Sequence, residues 1–376
     1  FFLAEKLARS GQTTLPDQIG ILHGRSAQML ATVLNFLNVV PIAYVLSLGL
    51  MVHMLTGWPI WLGILIGTSV AALYSVMGGF RAVVYTDLMQ FALMCFAVAL
   101  LMIYSVTGLG GAEYLRTHLP AGHLNLWGQI SLQELFVWAL IALSTLVDPN
   151  FYHRCYAAKS PSVARTGILC AVGFWMLFDV CTTFTGLYAR AAFSNVDPRL
   201  SYVLLADSLL PSGLKGFFFA GMLATVMSTI DSYCFVGAMT VSHDLRRFWR
   251  GRNKSEDEVV VRHTRIGILI TALIAVGLAF VFEGSIKSIW KTLGSLSTSA
   301  MLVPMVFGML GWRPPGAGVT SMGAGVVGTL GWAAFRRWGS PGARRLEVMI
   351  PGLALSLLGY FLVGLFGSPK NKGGNQ

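Results

Sequence analysis

The sequence predicts an all-α membrane protein of about ten spanning helices, and three observations carry that prediction. Apolar residues make up 55% of the 376 residues and charged residues 11%, against about 25% charged in average soluble proteins. A water-soluble core could not hide that much apolar surface, so lipid is the solvent for much of the chain. The apolar residues gather in runs near the roughly 20 residues that cross a bilayer, without the alternation of barrel strands. Lys and Arg gather in short tracts between the runs, as in the cytoplasmic loops of membrane proteins.

The expected spans are Ala27 to Leu55, Pro59 to Val76, Leu88 to Val106, Leu132 to Val147 and Gly167 to Ala191. Gly213 to Val241, Ile266 to Val281, Ile289 to Leu310, Gly318 to Phe335 and Val348 to Phe366 follow. Phe1 to Leu7 reads as the tail of an apolar helix whose beginning is absent, and no signal peptide is visible. The tail after Phe366 is short, polar and glycine-rich, with no soluble domain expected beyond it. Counting spans puts the basic loops Arg9 to Arg25, Arg154 to Arg165 and Arg246 to Arg265 on one side, read as cytoplasmic. Glu113 to Gly128 and Ser194 to Pro211 then face outward. Arg336, Arg337, Arg344 and Arg345 fall on the outer side by the same count, so either a late span is misread or this loop escapes the rule.

Within the runs, Asn35, Asn38 and Pro41 are read as structural, kinking or bridging their span. The Gly78-Gly79 pair permits a tight turn. Asp87 with Gln90 three residues later forms the pattern of a capping box that opens the next span.

The net charge of +11 does not indicate a nucleic-acid partner. The tract Arg246, Arg247, Arg250, Arg252 and Lys254 has no aromatic or glycine-rich platform beside it and suits anionic lipid headgroups. The five cysteines are scattered without a CxxC, so neither a disulfide framework nor a zinc site is expected. No GxSxG elbow, phosphate loop or HExxH is present, which leaves an enzyme reading without residues and calls for no cofactor.

Three places hold polar chemistry inside apolar runs. Leu132 to Val147 is short and ends in Ser144-Thr145, then Asp148-Pro149. It reads either as an ordinary span ending at Asp148 or as a discontinuous helix at a midplane binding site. Thr225, Ser228, Thr229 and Ser232 stand at i, i+3, i+4 and i+7, one stripe of one helix. Such hydroxyls can offer oxygen ligands to a small hard cation. From pattern alone they are read first as close-packing groups that bond back to their own carbonyls. Asp231, at the edge of the stripe, and Asp179, followed by Thr182 and Thr183, are intramembrane carboxylates. Each is expected to face the interior, as a cation or proton site or paired with a polar group on a neighbouring helix.

Three stretches together resemble the sodium:solute symporter family. Tyr74-Ser75-Val76-Met77-Gly78-Gly79-Phe80-Arg81-Ala82-Val83, running into Thr86-Asp87 and Gln90, is similar to the family's YxxxGGxxAVxxTDxxQ. Asp148-Pro149-Asn150-Phe151-Tyr152-His153-Arg154, then Ala157-Ala158-Lys159-Ser160, is similar to (N/D)QxxxQR…AAKS, with Pro149 and His153 in place of glutamines. Ala224-Thr225-Val226-Met227-Ser228-Thr229-Ile230-Asp231-Ser232 resembles AAxMS(S/T)xxS.

The resemblance implies a leucine-transporter-like fold of two inverted five-helix repeats, here lacking core helix 1 and most of core helix 2. Residues 1–310 are then the transporter core, and 311–376 two extra-core helices with a short tail. It implies a multi-pass protein of a bacterial-type cell membrane that carries a small polar organic solute together with sodium by alternating access. A proton-coupled carrier, or a sensor module on the same fold, is the alternative. Thr225, through its carbonyl, with Ser228 and Thr229 matches the sodium ligands on core helix 8. Ser144 and Thr145 fall where sugar carriers have an aromatic gate, and Trp175 falls where they have a lysine, which argues against a sugar. With Asp148, these residues mark the expected substrate path.

Overall fold

Proline, glycine and small polar caps divide the apolar sequence into helices. The computed structural model describes residues 2–125, 130–193, 196–197, 200–245, 257–281, 286–338 and 346–366. Phe1, the basic tract from Arg246 to Lys254, Arg344, Arg345 and the tail beyond Phe366 lie outside these residues. The chain opens with α1 (Phe2–Arg9) and α2 (Leu15–His23), the latter capped by the Thr14 side chain. α3 (Arg25–Val39) and α4 (Ile42–Thr56) follow end to end. Pro41 separates them, since it lacks an N–H and disfavours helical backbone at Val40. The expected Ala27 to Leu55 span is therefore two helices.

α5 (Ile60–Leu109) is 50 residues long and interrupted at Gly79, whose φ of 60° and ψ of −157° are not helical. A straight helix of that length would measure about 75 Å, over twice the bilayer's hydrocarbon core. Contacts with α11 (Ser212–Met239) show that α5 folds back on itself. Tyr74 bonds Asp231 and Asp87 bonds the adjacent Ser232. Along a straight helix those two α5 residues would stand about 20 Å apart. The fold-back makes α5 two spans, before and after Gly79, as expected from the glycine pair. It also corrects the reading of Asp87: helix resumes at Phe80, so Asp87 lies inside a helix and caps nothing. A single glycine with positive φ completes the turn, leaving that carboxylate for tertiary bonding.

α6 (Gly111–His118) precedes α7 (Leu132–Ala142), which opens with a capping box between Ser131 and Glu134. A 3-10 turn (Leu143–Val147) and the extended Asp148 then interrupt the helix before α8 (Pro149–Tyr156). This is the discontinuous reading of the Ser144 to Pro149 stretch. α9 (Pro161–Ala192) and α10 (Ser201–Leu209) lead into α11, which ends in a π-helical turn (Thr240–Leu245). α12 (Asp257–Val281), α13 (Ile286–Met309), α14 (Ala317–Trp338) and α15 (Met349–Phe366) complete the described chain.

Among the described residues, eight helical stretches are long and apolar enough to cross a membrane. Counting α5 twice, and adding α14 antiparallel to α15, restores the expected set. That antiparallel pairing brings Ser321 to Ser356 at 2.8 Å and Trp332 Nε1 to the Leu346 carbonyl at 3.3 Å. One apolar cluster joins α1, α2, α3, α8, α13, α14 and α15. A second joins α4, the first half of α5, α11 and α12. A third joins the second half of α5, α6, α9, α10 and the start of α11. Where α5 meets α11, a Cβ on Gly221 would stand 2.4 Å from Ala97 Cβ, so only glycine permits this approach.

α13 relates the two ends of the molecule. Its last turn receives Lys6 Nζ on the Met309 carbonyl at 3.3 Å. Near its start, Lys291 pairs with Glu347 at 2.5 Å. Arg336 and Glu347, which flank the late basic loop, therefore lie at the end opposite α1. The late spans thus run in the order that the span count expects.

Gly79→Val should lower the thermal unfolding midpoint in detergent, because the backbone region at Gly79 is essentially glycine-only and strain there costs about 1–3 kcal/mol. An unchanged midpoint would contradict the fold-back.

Candidate functional site

The hydroxyl stripe lies midway along α11. Thr225 Oγ1 donates to the Gly221 carbonyl at 2.9 Å, so its own hydroxyl is spent on the preceding turn. Its carbonyl is the shared acceptor of Ser228 Oγ and Thr229 Oγ1, each at 3.1 Å. Three oxygens, one carbonyl and two hydroxyls, thus converge at one point on the helix face. Thr225 is exposed and the two hydroxyl residues half-buried, so the face is accessible. The back-bonding read from the pattern is present, and it gathers the same oxygens that a small cation would use. Each hydroxyl donates its one proton to the Thr225 carbonyl and keeps its lone pairs available to a cation.

One helical turn further, the stripe changes character. Asp231 is fully buried and its Oδ2 accepts from Tyr74 Oη at 2.6 Å. Ser232, on the expected stripe, does not join the other hydroxyls: its Oγ bonds Asp87 Oδ2 at 3.2 Å and accepts from Arg154 Nη2 at 3.0 Å. Arg154 also pairs with Asp87 directly at 2.7 Å. α5, α8 and α11 are pinned together here by two carboxylates, one guanidinium, a phenol and a hydroxyl. Four oxygens around this network are buried without a hydrogen-bond partner: Asp87 Oδ1, Gln90 Oε1, Asn150 Oδ1 and Asp231 Oδ1. All four can act as acceptors or cation ligands.

The remaining expected residues lie elsewhere. Ser144 is half-buried and Thr145 exposed in the 3-10 turn, where Thr145 Oγ1 bonds back to the Ala142 carbonyl at 2.7 Å. Asp148 caps α8, its Oδ1 accepting from the Asn150 backbone N–H at 2.8 Å, with Pro149 as the first helical residue. Trp175 stands edge-on to Phe151 with centroids 5.8 Å apart, tying α9 to α8. Asp179 departs from expectation. It is exposed on α9, and its backbone carbonyl, rather than its carboxylate, is what Thr182 bonds. The reason is that α9 buries few side chains, namely Ala164, Thr185, Tyr188 and Ala189, and Asp179 is not on that face. Tyr74, Asp87 and Arg154 were not singled out from sequence for this network. The signal was available, since the rule that intramembrane ionisable groups need partners applies to Asp87 as it does to Asp231.

The fold and these motifs can be set beside known proteins. A model of the sodium:solute symporter family matches residues 1–328, and the chain belongs to that family. It is 26% identical over 333 residues to the high-affinity proline transporter PutP of Bacillus subtilis, covering 84% of this chain and 68% of that protein. It is also 26% identical to the osmoregulated proline transporter OpuE of the same organism, covering 81% and 63%, and to a sodium/proline symporter of Staphylococcus aureus, covering 80% and 61%. The chain thus spans 61% to 68% of the length of these curated relatives. Among solved structures it is similar to a Na+-coupled sialic acid symporter in a substrate-bound outward-open state. The TM-score is 0.82 at 13% identity, covering 99% of this chain and 81% of that one. The leucine-transporter-like fold and a multi-pass membrane location follow.

Tyr74→Phe should destabilise the protein by about 1–3 kcal/mol, because it strips the buried Asp231 of its donor. Thermal unfolding in detergent checks this, and a wild-type midpoint would show that Asp231 does not depend on Tyr74.

Proposed function

We propose that the protein is a secondary active transporter that couples sodium entry to uptake of a small polar organic solute by alternating access. The observation that carries this reading is the convergence of the Thr225 carbonyl with the Ser228 and Thr229 hydroxyls on one accessible face of α11. Neutral oxygens at mid-membrane suit a weakly held monovalent ion that must be released each cycle. One helix supplies part of a coordination shell, so the remaining ligands come from a facing element. Family membership and the proline-carrying relatives support an amino acid of proline's size as the solute. The interrupted helix at Ser144 to Pro149 supports a substrate path there, since a broken helix exposes backbone polar groups at membrane depth.

A second coupling position rests on Asp231. Its unpartnered Oδ1, with those of Asp87 and Gln90, offers oxygens to a further cation or to a proton. Asp179 fits that role less well, being exposed and apart from the cluster.

In the complete protein, Ser228→Ala and Thr229→Ala should each raise the sodium concentration for half-maximal uptake roughly tenfold, the loss of one charge-assisted ligand. Unchanged sodium dependence in both variants would sink the assignment. For Asp231, a proton role predicts uptake driven by a pH gradient in the absence of sodium; no such uptake leaves the cation role alone.

A further inference from the structure

At the far end of α11 lies a second cluster of ionisable groups that the transport reading does not use. Asp17 in the first turn of α2 is 3% exposed and Asp244 in the π-helical turn 0% exposed. His243 Nδ1 lies 3.1 Å from Asp244 Oδ1 and 3.8 Å from Asp17 Oδ2. One ligand atom from each of the three residues falls within 4.8 Å of the others. The supporting bonds come from α2 and α3. Thr14, the cap of α2, donates to Asp244 Oδ1 at 2.7 Å, and Gln28 donates to Asp17 Oδ1 at 2.8 Å. These leave Asp17 Oδ2 turned toward the imidazole. Asp244 Oδ2 is buried without a hydrogen-bond partner.

Two carboxylates this close, out of water, repel each other. A divalent cation offsets both. The donor set of one imidazole nitrogen and two carboxylates suits zinc-type ions and not magnesium or calcium, which prefer oxygen alone. Ligand atoms about 2.1 Å from a tetrahedral centre stand about 3.4 Å apart, and the two measured separations bracket that value. The bonds from Thr14 and Gln28 are the outer contacts that hold ligating carboxylates in orientation. A π-helical turn widens α11 at this point, as such turns do where side chains must be re-aimed at a site.

We propose that Asp17, His243 and Asp244 form a binding site for one divalent transition-metal ion of the zinc type, tying the start of α2 to the end of α11. Such an ion joins α2, through Asp17, to the π-helical turn that ends α11, through His243 and Asp244.

The test is titration of the tag-free full chain in detergent with Co2+, followed by its visible absorption band and by displacement with Zn2+. The expected result is one ion per chain, with affinity lowered at least roughly tenfold in His243→Ala, Asp244→Asn and Asp17→Asn. Gel filtration checks that each variant is folded. His243→Asn serves in place of the alanine variant should that one aggregate. Absence of saturable binding by the unaltered chain, or an unchanged band in the folded variants, overturns the proposal. The latter result would place the ion on other histidines.

Discussion

A carboxylate fully buried halfway along a membrane helix is the constraint on which the centre of this protein depends. Asp231 at that depth costs about 2.5–3.5 kcal/mol on insertion scales, and more if left unpartnered. The chain meets the cost with a hydroxyl from α5, and Tyr74 reaches Asp231 because α5 reverses at Gly79. The same reversal carries Asp87 back to Ser232 and Arg154, so one glycine with positive φ makes both bonds possible. Close approach of the second half of α5 to α11, through Ala97 and Gly221, follows from the same arrangement. α11 is thereby fixed on one side by α5 and on the other by α12, which packs Gly267 against Ala238.

A helix held so firmly can present a geometrically defined face. The stripe of Thr225, Ser228 and Thr229 is open, while Asp231 and Ser232, one turn on, belong to the buried network. One helix thus carries two kinds of polar group: oxygens free to exchange partners and oxygens engaged in holding helices together. Alternating access needs both, a site whose ligands can let go and a rigid bundle that moves as a unit. The network keeps four buried oxygens without a hydrogen-bond partner, on Asp87, Gln90, Asn150 and Asp231.

Much of this was legible in the sequence, for physical reasons that differ by element. Lipid forces long apolar helices, so the spans could be read from composition and length. The hydroxyl stripe could be read because a helix repeats every 3.6 residues. The interruption at Asp148-Pro149 is open to two readings in the sequence, an ordinary span end or a broken helix, and the Asp148-capped α8 that follows decides for the second. Asp87 could not be assigned locally. Its sequence, Thr-Asp-Leu-Met-Gln, satisfies a capping box as well as a tertiary ion pair, and the deciding partner, Arg154, is 67 residues away. Asp179 was misjudged because the expectation that it face inward assumed that α9 buries its middle, where the structure leaves Phe174 to Leu177 exposed. Arg336 looks anomalous by charge alone, and the path of α13 between Lys291 and Met309 puts the end of α14 that carries it away from α1.

The central claim is that the open face of α11 is a sodium site. The most direct measurement is the thermal unfolding midpoint of the complete protein as sodium replaces potassium at constant ionic strength. A sodium site there gives a sodium-specific rise that grows with the logarithm of concentration above the dissociation constant. This rise disappears when Ser228 and Thr229 are both replaced by alanine. A midpoint that responds equally to sodium and potassium, or a rise that survives the double replacement, would contradict it.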